Sequence, residues 1–358
     1  MFDTSSLSDT APYALDRDQK SQIFSGAIGA LTQHHYAACP QYKKILDKLG
    51  FDPAKSRALV DYPFLPVRLF KDNALKSIPD DAIIKTMTSS GTTGQNVSKI
   101  FLDRQNATLQ TKVLIQIVSD FIGPKRLPML IIDAKSTVTD RTSFSARGAG
   151  ILGFSMFGRN VTYALKDDMS IDLEAIITFA DKHQGETVLM FGFTYIVYQC
   201  LLLALKVEKQ MLPFDDAILI HGGGWKKLAD QAVGDKEFKN QLRNLAGVTQ
   251  VHNYYGMVEQ TGSIFMECEA GHLHSSIYSD IIIRGNDLRP LDMKQPGLVE
   301  LVSLLPTSYP GHVLISEDIG EWLGEDDCAC GRMGKYFKIH GRAKKAEVRG
   351  CSDTFTAN

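Results

Sequence analysis

The order of apolar and polar residues predicts strands that alternate with helices through the middle of the chain. Four short apolar runs have the composition of buried strands, at Pro128–Asp133, Val188–Phe193, Ala217–Ile220 and Gln250–Tyr254. Apolar residues recur at helical spacing in four longer segments, at residues 104–122, 171–183, 194–209 and 226–245. This alternation predicts a mostly parallel sheet covered by helices.

The two flanking regions have a different pattern. Residues 16–50 carry apolar positions at helical spacing, which predicts two amphipathic helices. Beyond about residue 262, short β-like runs separated by Gly, Pro and Asp predict a more antiparallel subdomain, at Ile281–Arg284, Leu298–Leu301 and His312–Ser316. We therefore expect an N-terminal helical segment (1–60), an α/β core (61–262), a β-rich subdomain (263–340) and a C-terminal arm (341–358).

Composition and charge narrow the possible classes of function. The 358 residues include 39 basic and 41 acidic side chains, so the chain lacks the basic excess of a nucleic-acid-binding protein. No apolar run approaches the roughly 20 residues of a membrane-spanning helix, and the first residues lack the pattern of a signal peptide. Six cysteines in such a chain indicate reduced thiols or a metal site. We expect a cytoplasmic protein that neither binds nucleic acid nor spans a membrane.

Three segments carry candidate binding chemistry. Residues 88–95 surround two glycines with hydroxyl side chains, which suits the cradling of a polyphosphate. Residues 221–227 and 253–262 both follow predicted strands, and ligands bind at the carboxyl ends of the strands in α/β sheets. Each segment also has an ordinary structural interpretation, as a polar turn, a strand-to-helix turn, or an aromatic core residue followed by a helix.

The order of these segments resembles the motif order of the adenylate-forming superfamily, which contains acyl-CoA synthetases, adenylation domains and firefly-type luciferases. Ser316-Glu317-Asp318 and Gly341-Arg342-Ala343-Lys344 extend the resemblance to the ribose-binding aspartate and the arginine beside the interdomain hinge. A narrower resemblance, to LuxE-type acyl-protein synthetases, is carried by Phe64–Lys71, Phe191–Thr194, His221–Lys226 and Arg349–Asp353. In one departure, Val258 stands where the superfamily motif has threonine.

The resemblance implies an α/β fold, namely the superfamily's large N-terminal domain with the C-terminal lid domain essentially absent and a hinge remnant at 341–358. It implies that ATP activates a carboxylic, fatty acid as an acyl adenylate, which is then transferred to a thiol. Glu259 would hold Mg²⁺ and Arg342 would act at the ribose. The remaining ATP contacts would come from Ser89, Ser90, Gly91, Thr92, Thr93, Gly94, Gly222, Gly223, Gly224, Tyr255, Gly256 and Asp318, and the acyl pocket from Phe193, Thr194 and His221.

Cys351 is the residue that the resemblance marks as the acyl acceptor. The charge of nearby Arg349 would favour its thiolate. The final acceptor could be this cysteine, an acyl carrier protein, coenzyme A or a reductase partner. Two alternatives stay open: a coenzyme A or carrier-protein ligase in polyketide or polysaccharide synthesis, and an acyltransferase module that makes no adenylate. Lys226, Lys227, Lys344 and Lys345 are candidates for the cation that the missing lid would otherwise supply.

A Cys/His set outside these motifs is a candidate zinc site. Structural zinc prefers four sulfur or nitrogen ligands, commonly from two short turns. The candidate ligands are Cys268, His274, Cys328 and Cys330. The Cys-x-Cys spacing of the second pair is unusual, and buried reduced thiols near surface histidines are the alternative.

Overall fold

A computed structural model describes residues 4–89, 97–139, 146–225 and 232–343. The chain divides into two compact units. Within the described residues, the first unit takes 4–89, 97–120 and 256–343, and the second takes 121–139, 146–225 and 232–255.

In chain order, the helices are α1 (Arg17–Ala38), α2 (Pro40–Lys48), α3 (Leu69–Asp72), α4 (Arg104–Ile122), α5 (Ser136–Thr139), α6 (Ala146–Ser155), α7 (Leu173–Lys182), α8 (Thr194–Ile196), α9 (Leu203–Glu208) and α10 (Asp235–Ala246). A π-helix, Val197–Leu202, joins α8 to α9.

The strands, in the same order, are β1 (Leu65–Pro66), β2 (Lys85–Thr88), β3 (Lys99–Leu102), β4 (Leu127–Ala134), β5 (Gly158–Leu165), β6 (Val188–Phe193), β7 (Ala217–Gly222), β8 (Val248–Tyr255), β9 (Phe265–Glu267), β10 (Leu273–His274), β11 (Ser279–Arg284), β12 (Pro296–Ser303), β13 (Val313–Glu325) and β14 (Lys335–Arg342).

The second unit contains the predicted parallel sheet. Its strands lie in the order β8-β7-β6-β4-β5, and every pairing between them is parallel. Strands β6 and β7 are buried along their whole length, as expected for apolar runs covered on both faces. The four strands expected from the apolar runs are therefore confirmed, with small shifts at their ends.

Strand β5 and the start of α10 differ from the prediction. Strand β5 pairs only with β4 in the described sheet, and several of its residues are exposed or half-buried, so it lacks a continuous apolar run. Helix α10 begins at Asp235, after the extended Gly234, so the helix predicted from residue 226 starts too early over residues 232–234. Glycine favours such a break because it costs helix stability.

The first unit combines the predicted N-terminal helices with an antiparallel sheet. Strands β11, β12, β13, β14, β10 and β9 pair in that order, and these pairings are antiparallel. Asp16 begins α1 with a capping box, in which its carboxylate accepts from the Gln19 N–H and the Gln19 side chain accepts from the Asp16 N–H. Helix α2 packs Tyr42 and Leu46 into a core that also contains Phe70. Both amphipathic helices and the antiparallel character are confirmed.

Within the described ranges, none of the helices combines the length and the apolar content that a crossing of the bilayer requires.

Candidate functional site

The carboxyl ends of β6 and β7 carry a hydrogen-bonded threonine and histidine. The Thr194 hydroxyl donates to the Gly222 carbonyl over 3.0 Å, and it lies 2.9 Å from Nδ1 of His221. Because the single hydroxyl proton is directed to Gly222, Nδ1 of His221 is the donor to Thr194, and Nε2 carries a lone pair. Both side chains are buried. The parallel pairing of β6 with β7 therefore brings together two of the residues predicted for the acyl pocket.

His221 is held neutral. Burial, followed by the charges of Lys239 and His252, lowers the pKa of His221 to about 3. A neutral imidazole with a bare Nε2 can accept a hydrogen bond, but it carries no charge with which to attract a carboxylate.

Gly222 is required by a close approach at the end of β7. A Cβ on this residue would lie 2.6 Å from Cε1 of Tyr254 on the neighbouring strand β8. Gly223 and Gly224 follow with φ values of 83° and 66°, a region that L side chains rarely adopt. The glycine run predicted to contact adenine therefore turns sharply at the strand end. Tyr255 is half-buried at the end of β8, and Gly256 follows it and is exposed.

Phe193, the third residue predicted for the acyl pocket, is fully buried. Its ring meets Phe191 edge-on, with 5.9 Å between the ring centroids. A Cβ on Gly150 of α6 would lie 3.1 Å from the ring of Phe193, so α6 packs directly on this strand end.

Glu259 lies in a short 3-10 turn of the first unit, Val258–Gln260, and is buried. The turn is fixed from both sides: the Tyr309 hydroxyl donates to the Glu259 carbonyl over 2.8 Å, and the Gln260 amide donates to the Gly311 carbonyl over 2.8 Å. Burial raises the pKa of Glu259, while Ser98 and the charges of Lys71 and Arg342 act in the opposite direction. The net effect is a raised pKa, so the nearby positive charges do not fully compensate the cost of burying the carboxylate. An additional cation would do so, which fits the Mg²⁺ ligand that the resemblance implies.

Asp318 and Arg342 face each other across the β13–β14 ladder of the first unit. Nε of Arg342 lies 3.6 Å from Oδ1 of Asp318, and an Nη of the same guanidinium lies 3.6 Å from a carboxylate oxygen of Glu317. The backbone of this segment is pinned, because the Ala343 N–H donates to the Glu317 carbonyl. The antiparallel register thus brings the two predicted ribose residues together.

Three charged neighbours, Glu317, Arg68 and Lys71, were not predicted as site residues from the sequence. Glu317 pairs with Arg342 and also lies 3.8 Å from Nε of Arg68, and Lys71 acts electrostatically on Glu259. Both basic residues belong to the Phe64–Lys71 segment that carried the LuxE resemblance. Their position in a motif shared with the family was the only indication in the sequence that they belong to the site. No rule of residue spacing connects residue 71 with residue 259.

Several predicted residues lie outside the described ranges. Among the ATP contacts these are Ser90, Gly91, Thr92, Thr93 and Gly94; the others are Cys351 and the lysines Lys226, Lys227, Lys344 and Lys345. Ser89 is described, and it pairs with Ser98 through two hydrogen bonds: its N–H donates to the Ser98 carbonyl, and its hydroxyl accepts from the Ser98 N–H.

The four predicted zinc ligands form one cluster in the first unit. The ligand atoms of Cys268, His274, Cys328 and Cys330 all lie within 4.8 Å of one another. The sulfurs of Cys268 and Cys328 are 3.8 Å apart, and Sγ of Cys330 lies 3.4 Å from Nε2 of His274. Tetrahedral zinc with Zn–S bonds of about 2.3 Å and Zn–N bonds of about 2.0 Å separates two sulfurs by about 3.8 Å, and sulfur from nitrogen by about 3.5 Å. These donor types and separations fit zinc.

Two similar turns present these ligands. In each, the N–H of a glycine three residues beyond a cysteine donates 2.9 Å to that cysteine's carbonyl, from Gly271 to Cys268 and from Gly331 to Cys328. The two glycines have φ values of 79° and 80°. Burial raises the pKa of the thiols of Cys268 and Cys328, so a bound cation would be needed to keep them as thiolates. His272 also approaches, with Nδ1 3.4 Å from Sγ of Cys328.

Solved structures of a coenzyme A ligase share this fold. One is the structure of 2-hydroxyisobutyryl-CoA ligase, solved in an open conformation in complex with 2-HIB-AMP and CoA. The TM-score of this match is 0.70 and the sequence identity is 15%, and the match covers 93% of this chain and 76% of that chain. The same ligase in the thioesterification state matches at a TM-score of 0.69 and 15% identity, over 93% and 70% of the two chains. The predicted α/β fold is therefore confirmed as the fold that this ligase also has.

A curated relative and a family model identify the chain more closely. The long-chain-fatty-acid–luciferin-component ligase of Vibrio harveyi is 26% identical over 367 residues, spanning 97% of this chain and 92% of the relative. The model of the family "Acyl-protein synthetase, LuxE" matches residues 3–358. The chain belongs to the LuxE family of acyl-protein synthetases.

Proposed function

We propose that this chain uses ATP to activate a carboxylic acid of the fatty-acid class and transfers the acyl group to a thiol. Family membership over residues 3–358 supports the reaction type. The observation that carries the residue assignment is the charged set of the first unit, in which Glu259 is buried near the charges of Lys71 and Arg342, and Arg342 pairs with Asp318. A module that only moved an acyl group between thiols would need none of these groups.

The first half-reaction forms a bond between a carboxylate oxygen and the α-phosphorus of ATP while the bond to pyrophosphate breaks. Negative charge builds on the phosphorus oxygens, so donors and cations that are fixed beforehand stabilise the transition state. Ser89 to Gly94 would contribute hydroxyl and N–H donors to the phosphates. Asp318 and Arg342 would hold the ribose, and Gly222, Gly223, Gly224, Tyr255 and Gly256 would bind adenine.

Glu259 would hold Mg²⁺, which neutralises phosphate charge when it is bound. Lys71 extends this set, because its charge already acts on Glu259. Lys71 therefore joins the four lysines outside the described ranges as a candidate for the cation that assists pyrophosphate departure. Thr194, neutral His221 and Phe193 would line the site of the acyl group, where the absence of charge on these three side chains and the apolar ring of Phe193 suit an uncharged chain.

In the second half-reaction a thiolate attacks the adenylate carbonyl and AMP leaves. We assign this attack to Cys351, with an acyl carrier protein, coenzyme A or a reductase partner as the next acceptor. The Cys268–His274–Cys328–Cys330 cluster would bind one structural zinc, because four ligands leave no open position for a substrate.

ATP–pyrophosphate exchange tests the proposal. Purified protein should exchange labelled pyrophosphate into ATP only when a suitable carboxylic acid is present, and a series of fatty acids of increasing length should show a clear optimum. Acyl transfer from a thioester donor without any acid-dependent exchange would instead identify an acyltransferase module.

A further inference from the structure

The second unit contains a buried ion pair whose polar atoms are not all used. Asp133 stands next to the end of β4, and Arg147 lies in the first turn of α6. Nε of Arg147 is 3.3 Å from Oδ2 of Asp133, and the two side chains are 9% and 1% exposed. None of the sequence motifs accounts for a charge pair this deeply buried.

Hydrogen bonds satisfy only one carboxylate oxygen of Asp133 and only one nitrogen of the Arg147 guanidinium. Oδ1 of Asp133 accepts from the Ala134 N–H and from the Thr137 hydroxyl, both over 2.7 Å, and one Nη of Arg147 donates to Thr137 over 2.8 Å. Oδ2 of Asp133 and both Nε and the other Nη of Arg147 are buried without a hydrogen-bond partner in the described parts of the chain. Such groups cost stability unless something else satisfies them.

The position of the pair in the sheet indicates a binding crevice. Strands β4 and β6 are parallel neighbours, yet the chain leaves β4 toward β5 on one side and leaves β6 toward β7 on the other. Ligands of open α/β sheets bind in the crevice outside the carboxyl ends of two such strands. Asp133 lies at that end of β4, and α6, which carries Arg147, packs on Phe193 at the corresponding end of β6.

A π-helix at the same crevice supports this interpretation. It covers Val197–Leu202, shortly after β6, and single π-helical turns are frequent at functional sites. Its Cys200 is close enough for the charges of Asp133 and Arg147 to act on its thiol, while burial raises the pKa of that thiol to about 11. Because that thiol is neutral, Asp133 and Arg147 are the charged side chains on β4, α6 and the π-helix.

The buried atoms of Asp133 and Arg147 that lack a hydrogen bond indicate which chemical group could bind beside them. The pair is neutral overall and offers N–H donors from Arg147 beside an acceptor from Asp133. A carboxylate would satisfy Arg147 but would be repelled by Oδ2 of Asp133. A hydroxyl or amide group both accepts and donates, so it satisfies both side chains without adding charge.

We propose that Asp133 and Arg147 form a polar subsite that binds a hydroxyl or amide group carried by the acid substrate. The inference rests on the proposed function, because the bound group belongs to the acid that this chain activates. The preferred substrate is then a fatty acid with a polar substituent on its chain. An ordered water molecule in the same place is the competing occupant, and it would give no such preference.

Calorimetric titration of the full chain tests the subsite without requiring catalysis. The ligands are decanoate and its monohydroxy derivatives, with the hydroxyl beside the carboxyl group, one carbon further, or at the far end of the chain. At least one hydroxylated acid should bind about ten-fold more tightly than decanoate. Equal affinity for all four acids, or no binding by any of them, overturns the proposal.

Variants connect the preference to the pair. Asp133→Asn and Arg147→Met should each bring the affinity ratio close to one. Arg284→Met is the matched control, since Arg284 forms an equally buried pair with Glu300, but its remaining donors reach the Leu288 and Val60 carbonyls. The control should leave the ratio unchanged, and a folded Arg147→Met that keeps the full preference overturns the assignment. If Arg147→Met does not fold, Asp133→Asn and the wild-type series still decide the question.

ATP–pyrophosphate exchange with the same acids separates this inference from the proposed function. Exchange that is equally efficient with all four acids overturns the subsite and leaves acid activation intact. A binding preference without exchange overturns acid activation and supports the subsite.

Discussion

At the scale of single residues, Glu259 shows how the fold buries a carboxyl group without fully compensating the cost of its negative charge. Its side chain is buried, and its backbone is fixed by the Tyr309 hydroxyl and by the turn that contains it. Burial raises the pKa of Glu259 more strongly than Lys71 and Arg342 lower it. Burying this carboxylate costs folding free energy when no ligand is bound. Such a cost is typical of a group positioned for a cation or a developing charge.

Glu259→Gln should reduce acid-dependent ATP–pyrophosphate exchange by about 10²-fold, because the neutral amide cannot hold Mg²⁺ at the phosphates. The free energy of unfolding should change by less than about 1 kcal/mol, since the substitution keeps the shape and removes a buried charge. Glu186→Gln, at an exposed carboxylate paired with Arg159, is the control and should keep normal exchange. Near-normal exchange in Glu259→Gln would remove this residue from the site.

The residue scale also shows which parts of the site could be predicted from sequence. Glu259, Asp318 and Arg342 belong to contiguous motifs, so their residue types and order were enough to propose them. Lys71 also stands in a contiguous motif, Phe64–Lys71, but no role was predicted for it, and none was predicted for the Asp133–Arg147 pair. Their partners lie in other segments of the chain, and only the fold shows which buried atoms lack a hydrogen bond.

At the scale of elements, the two Cys-x-x-Gly turns connect separate strands of the antiparallel sheet. One turn links β9 to β10 and the other precedes β14, and β10 pairs with both β9 and β14. A metal held between the turns would therefore tie together a sheet region in which β9 and β10 are only three and two residues long. Sequence supplied the four ligands, whereas the match of their separations to zinc required the structure.

Purified protein should contain about one zinc per chain by elemental analysis, and Cys328→Ser should lose most of it. The variant should also unfold at a temperature several degrees lower, because metal binding contributes to folding free energy. Cys39→Ser is the control: this thiol is buried in the hydrophobic core of the first unit and outside the cluster, so the variant should keep its zinc. Metal-free wild-type protein with unchanged stability after treatment with a chelator would contradict the zinc assignment.

Helix α1 is fixed against the segment at 306–312 through buried histidines. The rings of His35 and His312 stack with their centroids 4.9 Å apart, and Tyr42 meets His312 edge-on at 5.8 Å. Nε2 of His35 donates to the Pro306 carbonyl over 3.0 Å, and Nε2 of His312 lies 3.0 Å from the Thr32 hydroxyl. Burial lowers the pKa of His35, and burial with the charge of His34 lowers the pKa of His312 to about 3.

This stacked pair should make the protein sensitive to acid. Below about pH 6.5 the unfolded chain protonates these imidazoles, whereas the folded protein keeps them neutral, so the unfolded state binds more protons. The free energy of unfolding should therefore fall as the pH drops from 7 to 5, by about 2 kcal/mol for each such histidine. Urea unfolding at the two pH values measures this difference.

His312→Asn should be less stable than the wild type at pH 7, but it should lose less stability between pH 7 and pH 5. His340→Asn is the control, because it removes a histidine that is 44% exposed and lies outside the stacked pair. If His312→Asn showed the full wild-type loss between the two pH values, the stacked pair would not be the source of the acid sensitivity.

At the scale of the whole molecule, the sequence predicted the elements better than their exact extents. Apolar runs that form strands buried on both faces, such as β6 and β7, were recognised because burial on both faces requires continuous apolar sequence. Strand β5 was missed because much of its length is exposed. The π-helix was predicted only as ordinary helix, since its side chains are apolar throughout most of its length and hydrophobic spacing does not distinguish the two forms.

The proposed reaction assigns its second step to the thiol of Cys351, which lies outside the described ranges. Two-step transfer needs a nucleophile that reaches the adenylate carbonyl only after pyrophosphate has left. A cysteine on the same chain satisfies this requirement at a high effective concentration, because it searches a small volume. Adenylate formation itself involves no thiol.

Cys351→Ser should therefore keep acid-dependent ATP–pyrophosphate exchange at close to the wild-type rate, since that exchange reports only the first half-reaction. The same variant should lose hydroxylamine-sensitive labelling of the protein by radioactive acid and ATP, because the thioester cannot form. Cys200→Ser, which removes a buried thiol in the π-helix, is the control and should still be labelled. If Cys351→Ser passed acyl groups to coenzyme A or a carrier protein at the wild-type rate, the acceptor thiol would attack the adenylate directly. The chain would then be a discrete acid–thiol ligase without an acyl-enzyme intermediate.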